Sequence, residues 1–218
     1  IMLALGGNAL GETPKEQLEI VKKSAQAIVD LIEQGHEVVV AHGNGPQVGM
    51  INLGMEIAAQ NDKRVESMPL PESGAMSQGY IGYHLQSAIG SEMKKRKINK
   101  EVVTVVTQVL VDEDDESFNN PSKPIGSFYT KEEAERLTEE KGYQMIEDSG
   151  RGFRRVVASP RPVDIIEKNS VKTLLDSNHL VITVGGGGIP VVQRQNRLEG
   201  VEAVIDKDRA GCLLAQEI

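Results

Sequence analysis

"VVVAHGNGPQVG", residues 38–49, decides how the chain folds. An apolar run stops abruptly. Gly43, Gly45 and Gly49 then follow within seven residues, with Pro46 among them. Glycine lets backbone approach a ligand closely at an entropic cost, and proline suits the first turn of a helix. The stretch reads as strand, bare loop and helix start, an arrangement that turns unpaired N–H groups toward an anion.

The flanking sequence agrees. "IMLAL" (1–5) is a buried strand that runs into Gly6-Gly7-Asn8. In 13–35, Thr13, Pro14 and Glu16 form a helix start with a capping box. Leu18, Val21, Ala25, Ile28 and Ile32 give that helix one apolar face, and Gly35 ends it. Strand, helix and strand with short loops make a βαβ unit, whose parallel strands are covered on both faces. Downstream, the pattern predicts helices from Pro46 toward Gln60 and over about 73–97, then a buried strand over 102–111. The second helix mixes Gly74, Ala75, Gly79, Gly82 and Ala88 with Met76, Tyr80, Tyr83 and Leu85, a composition suited to close packing inside the subunit or across a dimer. Residues 112–162 are polar, with prolines near both ends and a helix pattern at 130–141, and read as a subdomain inserted between core elements. Helix returns within 165–178 and buried strand at 179–184. Gly185 to Gly188 follow, and then a turn into a helix that begins near Asp206-Lys207-Asp208.

Composition narrows the function. The 218 residues carry 24 Lys+Arg against 32 Asp+Glu, a net charge of -8, and show no basic stripe. Nucleic acid and anionic membrane are therefore poor partners. Aromatics are 3% with no Trp, so single strands would find no stacking platform. Cys212 is the single cysteine, which excludes an intrachain disulfide and fits a reducing, cytoplasmic setting. No apolar run approaches membrane-spanning length, and no signal peptide is recognisable. Ile1 already lies in an apolar run and "RAGCLLAQEI" (209–218) reads as an unfinished helix, so the expectation is a clipped chain.

Four features gather where strands end: Gly6-Gly7-Asn8, Gly43-Asn44-Gly45, Gly185–Gly188 and Asp206-Lys207-Asp208. Open α/β sheets bind ligands outside the carboxyl ends of their strands, and bare N–H groups with helix N-termini suit phosphate. Lys207 could add a full charge, and Asp208 could hold that lysine or organise a metal. Lys123 sits in the proline-flanked loop "NNPSKPIG" (119–126), as either a solvated loop lysine or a functional one. Arg151, Arg154 and Arg155 form a basic cluster that could simply neutralise nearby acids. His36, His42, His84 and His179 lack metal-ligand spacing; His42 fits a local hydrogen-bonding role, and Cys212 a packed position. The P-loop pattern is absent, the glycines at 43, 45 and 49 miss the dinucleotide pattern by one residue, and no nucleophile elbow occurs.

Six stretches together resemble the carbamate kinases of the amino-acid kinase family: "ALGGNAL" (4–10), "HGNGPQVG" (42–49), "NPSKPIGSF" (120–128), "GRGFRRVV" (150–157), "GGGGIPVV" (185–192) and "GVEAVIDKD" (200–208). The resemblance runs in order along essentially the whole chain, and the stretches at 120–128 and 150–157 together with 200–208 are its most specific. It implies an α/β fold, a three-layer αβα sandwich around a mainly parallel sheet. The core would be 1–111 and 163–218, C-terminally incomplete, with 112–162 as a protruding subdomain. It also implies a homodimer and reversible phosphoryl transfer between ATP and carbamate, run toward ATP from carbamoyl phosphate and ADP in arginine catabolism, with Mg²⁺. Carried onto this sequence, Gly6, Gly7 and Asn8 would meet the transferring phosphoryl group, and Gly43, Asn44 and Gly45 would hold the carbamate side. Lys207 would bind nucleotide phosphates, Asp208 would orient the lysines, and Lys123 would reach in from the subdomain. Family members continue beyond residue 218, into a segment that carries most of the adenine pocket. Two alternatives stand beside this reading: another phosphotransferase of the same family, and a non-catalytic acyl-phosphate-binding fragment.

Overall fold

The computed structural model describes residues 1–6, 9–11 and 13–218. Strand β1 (Met2–Leu5) leads through α1 (Pro14–Glu33) to β2 (Val39–His42). The α1 start is as read from sequence: the Thr13 hydroxyl accepts from Glu16 N at 3.2 Å and Glu16 Oε2 accepts from Thr13 N at 3.3 Å, with Pro14 inside the first turn. After β2 come α2 (Gly45–Asn61), α3 (Leu70–Lys95), β3 (Glu101–Thr104), β4 (Gln108–Val111), β5 (Lys123–Tyr129), α4 (Lys131–Lys141), β6 (Met145–Glu147), β7 (Phe153–Val157) and β8 (Pro162–Ile165). The chain closes with α5 (Lys168–Asp176), β9 (His179–Ile182), β10 (Ile189–Arg194), β11 (Arg197–Gly200) and α6 (Lys207–Glu217).

Among the described residues, a wholly parallel sheet runs β1-β2-β9-β3. Alternate residues of its central strands point to opposite faces, and this alternation builds the layers. Val38, Val40, Leu180 and Ile182 join Val21, Ile28, Ile81, Leu85 and Ile89 of α1 and α3 in one buried cluster. Val39, Ala41 and Val181 face the other way and pack with Val171 of α5 and Ala210 and Leu214 of α6. Strands buried on both faces read as continuous apolar runs, which is why 38–41 carries no polar residue. The α/β class with a mostly parallel sheet therefore holds.

The stretch 102–111 is not one strand. It divides into β3, an edge of the first sheet, and β4, which enters a second sheet ordered β11-β10-β4-β8. The break is chemical. Gln78 of α3 lends Thr107 a surrogate strand partner, its Oε1 accepting from Thr107 N at 2.8 Å and its Nε2 donating to Thr107 O at 3.1 Å. The Thr107 hydroxyl meets that of Thr183 at 2.7 Å. Apolar run length could not reveal a side-chain amide from another helix. Two smaller expectations also shift: helix α3 starts at Leu70 rather than 73, and residues 162–165 are strand before α5 begins. Residues 189–200 form the β10–β11 hairpin.

Strands β5, β7 and β6 form a separate antiparallel sheet, flanked by α4. It is joined to α2 by close backbone contact: a Cβ built on Gly49 would lie 2.1 Å from Gly126 Cα. Polar contacts extend that joint. Lys141 Nζ and the Tyr143 hydroxyl both donate to the Glu56 carboxylate at 2.7 Å, and Arg155 donates to Asn52 Oδ1 at 2.9 Å.

Candidate active site

Two glycine loops and a helix start converge at the carboxyl edge of the parallel sheet. Gly43 N donates to Leu5 O at 2.8 Å, which sets the end of β2 beside that of β1. Gly6 follows the end of β1, and a Cβ built on it would meet nothing within 4 Å among the described residues. Gly7 and Asn8 fall outside the described residues. Asn44 is the N-cap residue of α2, yet its side chain makes no capping bond; its Nδ2 donates instead to Ser77 Oγ of α3 at 2.8 Å. The first turn of α2, from Gly45 through Pro46, therefore carries no side-chain cap, and its free N–H groups suit an anion.

His42 sits beneath these loops, almost fully buried. Its Nδ1 lies 3.0 Å from Gly43 O, a carbonyl that can only accept, so Nδ1 carries the proton. Burial lowers its pKa to about 4, with the Gly43 bond opposing. The imidazole is neutral at physiological pH and braces the loop without adding charge.

The tetraglycine run does two jobs. Gly187 and Gly188 face the core: a Cβ on Gly187 would meet Ile205 O at 2.4 Å, and one on Gly188 would meet Val109 Cγ2 at 2.2 Å. Their N–H groups are taken by Val184 O and Gly185 O within the turn itself. The other two face the site. A Cβ on Gly185 would lie 2.4 Å from His42 Nε2, and one on Gly186 only 2.1 Å from Asn44 Nδ2. Val184, just before the run, holds φ at +43° while its N–H is bound by the Thr107 hydroxyl. Such backbone is costly for a β-branched residue and clusters at functional sites. Steric demand thus applies to all four glycines, two against core groups and two against His42 and Asn44.

The cations enter from two sides. Lys207 opens α6, and its Cδ lies 3.5 Å from a Cβ built on Gly43; its Nζ meets both Asp208 carboxylate oxygens at 3.0 and 3.1 Å. Lys123 opens β5 and donates to Asp206 Oδ2 at 2.6 Å. Pro124 O lies 3.8 Å from a Cβ built on Gly45, so the start of β5 overhangs the α2 N-terminus. Burial raises the Asp206 pKa, but the hydrogen bond and charge of Lys123 outweigh it and hold the carboxyl below its usual range. These contacts bring Gly6, Gly43, Asn44, Gly45, Lys123, Lys207 and Asp208 together at the carboxyl edge of the sheet.

Asp206, Ser77 and Gln78 were not singled out as site residues in the sequence. Asp206 carried a signal, being an acid directly before a helix, where carboxylates cap. Ser77 and Gln78 lie mid-helix and carried none. The arginine cluster lies elsewhere. Arg151 and Arg154 stack on Phe128 and pair with Asp148, while Arg155 stacks on Tyr143 at 3.9 Å. Cys212 is exposed rather than packed.

Comparison with known proteins fits this geometry. The amino acid kinase family pattern matches residues 1–218. A carbamate kinase of Staphylococcus epidermidis is 58% identical over 219 residues, covering 100% of this chain and 70% of that protein. The carbamate kinase-like protein YqeA of Escherichia coli is 60% identical over 218 residues, with the same coverage of each. Carbamate kinase from Giardia lamblia bound to citric acid superposes with a TM-score of 0.91 at 44% identity, covering 98% of this chain and 70% of that one. The AMP-PNP-bound form of the same protein superposes at 0.86 and 44% identity, covering 99% and 69%. The chain belongs to the amino acid kinase family.

Proposed function

We propose that the chain carries carbamate kinase chemistry, moving a phosphoryl group reversibly between carbamate and a nucleotide. The convergence of Lys123, Lys207 and the uncapped start of α2 on one glycine-lined edge of the sheet carries this reading. In the direction of ATP synthesis, the P–O bond to carbamate breaks and a new P–O bond forms to the terminal oxygen of ADP. Carbamate leaves as an anion, so no proton need move. The site then has to align the partners and stabilise charge on the equatorial oxygens. Gly43, Asn44 and Gly45, with Gly6, Gly7 and Asn8, would bind the carbamoyl and phosphoryl ends. Lys207 would meet nucleotide phosphates under the control of Asp208, and Lys123 would approach from the opposite side. Preorganised donors of this kind are each worth roughly 3–4 kcal/mol in the transition state.

The AMP-PNP-bound relative supports ATP and ADP as the nucleotide pair. Mg²⁺ would be held by nucleotide phosphates and water, neutralising their charge. Among the described residues no group of three or more His, Cys, Asp or Glu side chains forms a metal cage, and the Asp208 carboxylate is turned to Lys207. Residues 112–162 act in this reading as a protruding subdomain on a core of 1–111 and 163–218, which delivers Lys123. A homodimer would use the outer face of α3 and β3. There Tyr83 and Val106 are 64% and 49% exposed beside an open groove of about 720 Å³. Among the described residues no helix is long and apolar enough to cross a membrane, and one cysteine in 218 residues supports a cytoplasmic setting. An acceptor panel tests the assignment. With ATP and Mg²⁺, carbamate should be phosphorylated in preference to acetylglutamate, aspartate and nucleoside monophosphates; preference for any other acceptor overturns it.

A further inference from the structure

The arginines of the cluster at 151–155 part company in the structure. Arg151 and Arg154 pair with Asp148. Arg155 takes no carboxylate among the described residues. Its Nη1 donates to the neutral Asn52 Oδ1 at 2.9 Å, and its guanidinium lies 3.9 Å from the centre of the Tyr143 ring. Glu56, which shares a small cavity with Arg155, is already held by Lys141 Nζ and the Tyr143 hydroxyl at 2.7 Å. Glu202 shows the opposite lack. Its Oε1 accepts from Leu70 N at 3.0 Å, and no Lys, Arg or His among the described residues pairs with it. Arg155 and Glu202 both line one open cleft of about 350 Å³ between the inserted sheet and the core, and no other charged residue lines it. We propose that this cleft binds an α-amino acid as its zwitterion, the carboxylate on Arg155 and the ammonium on Glu202.

The charges select the ligand. A guanidinium has five N–H donors in a planar fork; Asn52 takes one of them, and the fork suits a carboxylate. Glu202 Oε2 makes no hydrogen bond among the described residues and is free to accept from an ammonium. A simple anion would be repelled by Glu202 and a simple cation by Arg155. A ligand carrying both charges close together satisfies both walls, and like-charge mismatch rejects the others. Phe118, Pro121 and Leu70 complete the lining, so an apolar side chain on the amino acid finds an apolar surface. Gly6, Gly43, Gly45, Lys123 and Lys207 do not line the cleft. The site therefore lies outside the one read above for phosphoryl transfer and does not depend on that reading. Arg155 belongs to β7 of the inserted sheet, whereas Glu202 follows β11 of the core, so the bound amino acid bridges the two.

Titration calorimetry of the full chain with L-leucine tests the proposal. Binding should saturate with a Kd of about 1 mM or tighter. Two analogues dissect the charges: 4-methylpentanoate lacks the ammonium, and 3-methylbutylamine lacks the carboxylate. Each should bind at least about tenfold more weakly than leucine. Glu202→Gln keeps an acceptor for Leu70 N and removes the charge, so its Tm should stay within about 2 °C of the parent. It should weaken leucine at least about tenfold and leave 4-methylpentanoate no weaker. No leucine binding up to about 10 mM, an analogue that binds within about tenfold of leucine, or unaltered leucine affinity in Glu202→Gln would each overturn the proposal. The readout is binding alone, so its outcome stands whether or not the chain transfers phosphoryl groups.

Discussion

Gly186→Ala probes the contact that positions Asn44 at the start of α2. The new Cβ would lie 2.1 Å from Asn44 Nδ2, and ordinary contact begins near 3.4 Å, so the amide must retreat by about 1.3 Å. It cannot do so and keep its 2.8 Å bond to Ser77. Losing that bond costs about 0.5–1.5 kcal/mol. Alanine at φ +64° adds about 1–2 kcal/mol of left-handed strain. Together these destabilise by about 1.5–3.5 kcal/mol, or roughly 3–14 °C in Tm for a domain of this size. Asn44 is also the first residue of the α2 turn that faces substrate. Displacing such a positioning element by about 1 Å can cost about 100-fold in rate. Thermal melts and the rate of ATP formation read both effects. Gly54→Ala is the control, because its Cβ meets nothing within 4 Å in an exposed helical position; it should stabilise by about 0.5–1 kcal/mol. A Gly186→Ala protein within about 2 °C and twofold of the parent rate would refute the steric argument.

Other perturbations follow from the same contacts. Lys207→Ala should lower kcat about 10²–10³-fold with Tm held within about 2 °C, because its ion-pair partner Asp208 is 65% exposed; near-normal turnover would remove Lys207 from the site. The pKa of His42 lies near 4 in the folded protein against 6.5 ordinarily, so the folded state binds fewer protons between those values. Its contribution is complete above pH 6.5 and is lost as pH falls toward 4, by about 3 kcal/mol in all. Urea midpoints across that range should slope less steeply in His42→Gln, and parallel slopes would contradict the assignment. Gly49→Ala drives a Cβ to 2.1 Å from Gly126 Cα, backbone that cannot turn aside. It should cost about 1–3 kcal/mol and speed amide exchange across 123–129; unchanged exchange would show that the α2–β5 joint does not hold the subdomain sheet.

The legible parts of the fold were those governed by local chemistry. The capping box at Thr13 and Glu16, the apolar face of α1 and the strand–glycine–proline sequence at 38–46 each depend on near neighbours, and each stands in the structure. The break between β3 and β4 was not legible, because Gln78 imposes it from another helix. Exposure of Cys212 depends on which face α6 turns to α5 and β1, which a short amphipathic pattern leaves open. Within the site, Gly43 beside the end of β1 follows from two adjacent parallel strands ending at one edge. The pairing of Lys123 with Asp206 does not, since nothing local distinguishes Asp206 from Asp208 as its partner. Tertiary contact between distant elements decides both.

ATP formation from ADP, Mg²⁺ and carbamoyl phosphate by the intact protein, corrected for spontaneous breakdown of the acyl phosphate, tests phosphoryl transfer itself. ATP should form at an enzymatic rate that Lys207→Ala lowers about 10²–10³-fold. No ATP above the spontaneous background would contradict it.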